Sequence, residues 1–276
     1  MKFESDKAEK HFIEVFRLAA LQAGSLARRL QGEIQPQTKK NFTTPESAAL
    51  TAVDLAAQDV ILHLLHQAFP EVAIDAEEET DTVHLFPPFR EDRPLIILDP
   101  IDGTLNYSRG SIDYAVMGAW FSEGLYRAAL IHFPARRELY WAVRHGGCWH
   151  QREWEKPAPL SIGSLPLRVL VTPSVDKAWS NRLRLAGFEV TLSRCSAVDG
   201  SAPATGKAAA AVSPGRPGRR RAIGFLLTTE AGGMVKIGER VWVWQGEDPL
   251  TFPTGRGPNV VAGSPELAEK VSEALK

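Results

Sequence analysis

Asp99-Pro100-Ile101-Asp102-Gly103-Thr104 follows the apolar run Pro94-Leu95-Ile96-Ile97-Leu98. A short apolar run bounded by turn residues reads as a buried strand. The end of such a strand is where α/β folds place their ligands. Pro100 restricts the turn, and Gly103 permits backbone geometry closed to other residues. Asp99 and Asp102 can then converge on one point. Two ionised carboxylates that converge need a cation, or one must keep its proton. Oxygen ligands of this kind suit Mg²⁺. Backbone N–H groups after Asp102 are placed to hold an anion if a helix starts there. A divalent cation beside an anion cradle is equipment for phosphate ester chemistry.

Composition sets the frame around this motif. The chain has 276 residues, 44% hydrophobic and 24% charged, with net charge −1. That length supports a sizeable core. Near-neutral charge gives no general reason to expect nucleic acid or an anionic membrane as partner. Cys148 and Cys195 are too few for a disulfide scaffold and too isolated for a zinc site, which points to a reducing, cytoplasmic setting. Met1-Lys2-Phe3-Glu4-Ser5-Asp6 has no apolar signal core, and no apolar run is long enough to span a bilayer.

Upstream of the motif, Phe12, Val15, Phe16, Ala19, Ala23, Leu26 and Leu30 recur at helical spacing, so 6–30 is expected to be an amphipathic helix with Asp6 as its cap. Residues 31–45 are polar and read as a loop. Residues 50–69 read as a second helix ended by Pro70. Val72-Ala73-Ile74 is a short strand before the acidic run Asp75-Ala76-Glu77-Glu78-Glu79. Downstream, 114–121, 126–133 and 138–143 read as strands of an antiparallel meander, with a tight turn at 145–149 into a further strand. Trp141, Trp149, His132 and His145 read as structural. Beyond it, strands at 168–171, 188–190, 208–212 and 259–263 alternate with helices at 176–186, 222–231 and 265–275, which predicts a mixed sheet.

The octapeptide Asp99-Pro100-Ile101-Asp102-Gly103-Thr104-Leu105-Asn106 resembles the metal-binding signature of the inositol monophosphatase family. Its members include phosphatases for inositol phosphates, fructose bisphosphate, phosphoadenosine phosphate and histidinol phosphate. The resemblance runs from about Asp6 to Leu275. It implies a layered α/β sandwich: two long N-terminal helices with an antiparallel sheet over 1–165, then a mixed α/β half over 166–276. It also implies a homodimer and a small phosphorylated substrate.

Residue by residue, Ala76-Glu77-Glu78 resembles the family's Gly-Glu-Glu, which makes Glu77 a metal ligand and Glu78 its support. Asp99, Asp102 and the Ile101 carbonyl would complete the Mg²⁺ site. Thr51-Ala52-Val53-Asp54 resembles the segment whose aspartate positions the attacking water, with Thr104 and Glu77 as its companions. The N–H groups of Gly103 and Thr104 would hold the phosphate. Arg194-Cys195-Ser196-Ala197 resembles the Gly-Ser-Ala segment that lies along the substrate and places Ser196 there, with Cys195 in place of the glycine. A lysine of the Lys39-Lys40 pair corresponds to one near the family's metal site.

The third motif departs from the pattern. The family has Trp-Asp-x-Ala-Ala-Gly before a helix ending Glu-Ala-Gly-Gly. Here Thr229-Glu230-Ala231-Gly232-Gly233 fixes the register, and the tryptophan and aspartate fall on Arg219 and Arg220. That aspartate is a ligand of the second metal. A guanidinium has donors only and stays charged. Pro214-Gly215-Arg216-Pro217-Gly218-Arg219-Arg220-Arg221 can be a solvated basic loop. It can bind a multiply charged phosphate through bidentate arginines. Or Arg220 can occupy the second metal's place, leaving a one-metal enzyme or a non-enzymatic phosphate-binding protein.

Overall fold

A computed structural model describes residues 2–33, 37–38, 49–50, 52–215, 217–241 and 257–276. Lys39-Lys40, Thr51 and Arg216 lie outside the described residues. The first helix, α1, is Lys2–Leu30, so Asp6 lies inside it and is not its cap. Its buried face is Phe12, Phe16, Ala19, Ala20, Ala23 and Ala27. Gln37–Thr38 (β1), within the expected loop, pairs antiparallel with Ala49–Leu50 (β2), so Leu50 is a strand residue and not the start of the second helix. The second helix, α2, is Ala52–Ala68.

A seven-stranded sheet follows: β3 (Ala73–Asp75), β4 (Leu95–Asp102), β5 (Ala115–Ser122), β6 (Leu125–Phe133), β7 (Glu138–Val143), β8 (Gly147–Arg152) and β9 (Ala158–Leu160). Its spatial order is the sequence order. β3 and β4 are parallel; every later pair is antiparallel, the meander expected. The short helix α3 (Thr104–Ser108) lies between β4 and β5.

The second sheet is mixed, in the order β11-β10-β12-β15-β13-β14. Its strands are β10 (Arg168–Val171), β11 (Glu189–Leu192), β12 (Ala210–Pro214), β13 (Met234–Ile237), β14 (Arg240–Val241) and β15 (Pro258–Ala262). The helices are α4 (Lys177–Leu185), α5 (Ser196–Ser201), α6 (Arg219–Glu230) and α7 (Pro265–Ala274). Asp176 caps α4 by accepting from the Trp179 N–H.

Alternation along β4 explains the layering. All eight of its residues are buried. Ile96 and Leu98 pack with α1 and α2. Leu95 and Ile97 join a core shared with α5, α6 and the second sheet. Helices α4 and α7 cover that sheet's far face. The result is five layers, helix–sheet–helix–sheet–helix. Where α5 meets α6, a Cβ on Gly224 would lie 2.7 Å from Gly200 backbone, so only glycines allow this approach. No helix among the described residues is long and apolar enough to cross a membrane.

Candidate active site

A cavity of about 560 Å³ opens where β4 ends against α5 and α6. One wall is Glu77, Asp99, Ile101, Asp102, Gly103 and Thr104; the opposite wall includes Thr172, Ser174, Ser193, Arg194, Cys195, Ser196, Asp199 and Arg221.

Asp99–Asp102 are not a turn beyond the strand but its own last residues, with Gly103 capping the helix that begins at Thr104. In a regular strand, residues three apart point to opposite faces. Here Asp99 pairs with Met117 and Asp102 with Ala115, so three steps on β4 oppose two on β5. This β-bulge turns both carboxylates to one cavity. Pro100, which has no N–H to donate, is tolerated at such a break. Gly103 then adopts φ 84° as it leads into α3. A Cβ there would also crowd Asp113 O and Cys195 Cβ, both at 3.1 Å.

Asp99 is buried, and its Oδ1 has no hydrogen-bond partner among the described residues. Burial, then the negative charges of Glu77 and Asp102, hold its pKa well above the usual carboxylate range. Arg220 opposes this only in part. Asp102 is also raised by burial, although its oxygens are well supplied. Oδ2 accepts from Ala197 N at 2.6 Å and Cys195 Sγ at 2.9 Å; Oδ1 accepts from Ser196 Oγ at 2.9 Å. Burial and Asp102 push the Cys195 thiol pKa far up. Cys195 is therefore a protonated donor to Asp102.

Behind the cavity, the Thr104 hydroxyl lies 3.1 Å from the fully buried Asp54 Oδ1 and 3.0 Å from the Ile101 carbonyl. Gln58, one helical turn after Asp54, holds the acidic run in place. Its Oε1 accepts from Glu78 N at 2.9 Å and its Nε2 donates to Glu78 O at 2.5 Å.

Arg220 lies apart from this group. Its Nε donates to the Leu98 carbonyl at 3.0 Å, and its Nη2 to Asp75 Oδ1 at 3.1 Å. Arg219 reaches the other oxygen of Asp75 at 3.2 Å. Neither lines the cavity; Arg221 does. These arginines stand in the first turn of α6, which starts at Arg219, three residues before the expected boundary. Gly218 caps the helix, so this part of the basic stretch is helical and not loop.

Seven residues singled out in the sequence thus share the cavity: Glu77, Asp99, Ile101, Asp102, Gly103, Thr104 and Ser196. Asp54 joins through Thr104. Sequence reasoning gave no role to Gln58, Asp75 or Asp199, and named Arg221 only as one of the arginines of the basic stretch. Gln58 could have been found as a polar residue four after Asp54 on a helix face that is otherwise apolar.

The donor set bears on a cation. Glu77 and Asp99 are close enough to raise Asp99 through both charge and a hydrogen bond. An orphaned buried carboxylate oxygen next to a second carboxylate and a backbone carbonyl is a hard-oxygen set that fits one Mg²⁺. Asp102 is committed to α5, and an arginine stands at the aligned position of the remaining aspartate. Among the described residues, no group of three or more metal-ligating side chains assembles. The fit is to one ion.

Comparison with known proteins agrees with the fold. The inositol monophosphatase family matches residues 9–274. A fructose-1,6-bisphosphatase/inositol-1-monophosphatase of Thermotoga maritima is 30% identical over 104 residues, 38% of each chain. A Nus factor SuhB of Xylella fastidiosa is 29% identical over 190 residues, 66% of each chain. The chain spans 38% to 49% of the length of the first curated relatives it matches. The solved structure of the extragenic suppressor protein SuhB from Bartonella henselae superposes with a TM-score of 0.76 at 23% identity, covering 96% of this chain and 98% of that one.

Proposed function

This chain belongs to the inositol monophosphatase family, and on that premise we propose that it is a Mg²⁺-dependent phosphomonoesterase acting on a small phosphorylated metabolite, an inositol, sugar or nucleotide phosphate. The observation that supports this most directly is Asp99: a buried carboxylate, beside Glu77, with one oxygen unpartnered among the described residues. Burying such a pair without a cation is costly. In this reading Glu77, Asp99 and the Ile101 carbonyl hold the ion. When bound there, Mg²⁺ screens the phosphate's charge and acidifies the attacking water.

The chain's own residues do the positioning. Thr104 Oγ1 accepts a hydrogen bond from the water while donating to Asp54, and Glu77 orients the water from the other side. Gly103 and Thr104 offer backbone N–H groups to the phosphate. Asp102 fixes α5, whose Ser196 faces the leaving group. Little covalent chemistry is asked of the protein, because phosphoryl transfer is catalysed mainly by position and charge. A cytoplasmic homodimer completes the proposal.

A second reading is favoured by Arg220 and by the absence, among the described residues, of a three-ligand cluster. In it the chain binds a phosphorylated ligand without turning it over. Phosphate release with Mg²⁺ from a panel of inositol, sugar and nucleotide phosphates separates the two. Turnover that chelator abolishes supports the enzyme. Silence from wild type, with activity gained in Arg220→Asp, supports the binding protein.

A further inference from the structure

Asp99 and Asp102 face one cavity from one bulge, yet they are held differently. Asp99 keeps an oxygen without a hydrogen-bond partner among the described residues. Asp102 has donors on both oxygens, all from the start of α5. Cys195 Sγ at 2.9 Å and Ala197 N at 2.6 Å serve Oδ2; Ser196 Oγ at 2.9 Å serves Oδ1. A carboxylate offers about four acceptor sites, about two per oxygen, so Oδ2 is filled. Cys195 stands at the N-cap of α5, where its side chain makes no capping bond. It reaches across to Asp102 instead.

The thiol is not free to swing away. The Cys195 carbonyl accepts from the Asp199 N–H at 3.1 Å and from Ser193 Oγ at 3.4 Å. On the other side Cys195 packs against Gly103: a Cβ added there would lie 3.1 Å from Cys195 Cβ and 3.4 Å from Sγ. A thiol keeps its proton at neutral pH and points the positive end of its S–H at Oδ2. Mg²⁺ binds oxygen at about 2.1 Å, so an ion on that lone pair would enter the space the sulfur fills. Charge and bulk both oppose it.

We infer that Cys195 is a positioning residue that ties Asp102 to α5 and keeps it out of the cation's coordination, so that the cavity takes one divalent ion. Arg220 is the larger obstacle to a second ion; Cys195 is an independent and smaller one. This rests on the metal-dependent reading for the first ion, but on Cys195 and Asp102 alone for the hindrance of the second.

The test counts ions on the full chain. Mn²⁺, which takes the same oxygen ligands as Mg²⁺, is titrated in and the free ion is read by electron paramagnetic resonance. Wild type should bind one ion. Arg220→Asp should open a second, weaker site. Adding Cys195→Ala should tighten that second site by roughly tenfold, the scale of one hydrogen bond to a charged group. Adding Cys195→Ser, which keeps a donor, should not. The backbone at 195 is extended, so both replacements fit it. Equal second-site affinity in the alanine and serine variants overturns the proposal, as does a second ion in wild type as tight as the first. If the double variants do not fold, wild type decides. Cys148→Ala assigns the infrared S–H band of Cys195, which should keep the lowered frequency of a hydrogen-bonded thiol when Mg²⁺ is added. A free-thiol frequency, with or without Mg²⁺, overturns the proposal. No Mn²⁺ bound by wild type sinks the metal-dependent reading instead.

Discussion

The two ends of the cavity are built by opposite rules. At the β4 end, negative charge is concentrated and backed by a rigid frame: Gln58 grips Glu78, Thr104 links to Asp54, and Asp102 is tied to α5. At the α6 end, positive charge is concentrated at a helix N-terminus, where the dipole disfavours it. That placement is tolerable because Asp75 takes two of the three arginines. The contrast locates the site's weakness for binding a second cation. It lies less in the signature, whose residues share the cavity, than in the helix facing it, which carries arginines where the family has an aspartate.

The sharpest way to break this contrast is Asp99→Asn. If the β4 end holds the ion, phosphate release at saturating Mg²⁺ should fall by about three orders of magnitude, the scale of the several kcal/mol a bound cation contributes. Stability should move the other way. Burial and the charge of Glu77 both disfavour ionised Asp99, so the variant should melt higher than wild type in EDTA. Loss of activity together with a lower melting temperature would mean that Asp99 is a structural residue.

Acid stability cannot be assigned to either end before His132 is accounted for. It is buried under α1, with Nδ1 donating to the Ala20 carbonyl at 2.9 Å and Nε2 unpartnered among the described residues. Burial pushes its pKa down to about 4. Above pH 6.5 the ring is neutral in both folded and unfolded chains and costs nothing. Between 6.5 and 4 only the unfolded chain takes the proton, so stability falls as pH falls, by about 3 kcal/mol in all. Urea unfolding from pH 7 to 4 should show this slope, and His132→Gln should flatten it. An unchanged slope in the variant would assign the acid loss to groups other than His132, and not to Asp99 or Asp102, whose raised pKa values make acidification stabilising.

Gln58 tests the frame behind the β4 end. Gln58→Ala removes two hydrogen bonds to buried backbone groups of Glu78, and the expected cost is about 2 kcal/mol. Because Glu77 is adjacent, the Mg²⁺ concentration for half-maximal activity should rise as well. A loss of stability with an unaltered Mg²⁺ requirement would separate the frame from the ion.

Gln58 also marks the limit of what the sequence discloses. Glu138–Val143 and Arg168–Val171 were legible to the residue, because apolar runs between turn residues have no other reading. The edge strand Ala158–Leu160 was missed, since its residues are largely exposed and carry no apolar pattern. The start of α6 was misplaced because Pro217, Gly218 and an arginine cluster mimic a loop. In the site, neighbours within one motif were legible. The bulge that turns Asp99 and Asp102 together was not, nor were Asp75 and Asp199, whose roles exist only once distant strands and helices meet.

The smallest effect belongs to Asp75, and it bears most directly on the contrast. Asp75→Asn takes the counter-charge from Arg219 and Arg220. The pairs are partly exposed to solvent, so the expected loss is only about 1 kcal/mol, shrinking as salt rises. The informative readout is Mg²⁺ dependence. Arg220 already acts on Asp99 from its tether. Without that tether it competes more strongly for the carboxylates, and half-maximal activity should need several-fold more Mg²⁺. Arg220→Met in the same background should restore the wild-type requirement, since it removes the competing charge and keeps much of the bulk. If Asp75→Asn leaves the Mg²⁺ requirement unmoved, the arginines at the head of α6 brace the sheet edge and nothing more. The cavity would then have one electrostatic end and one structural end.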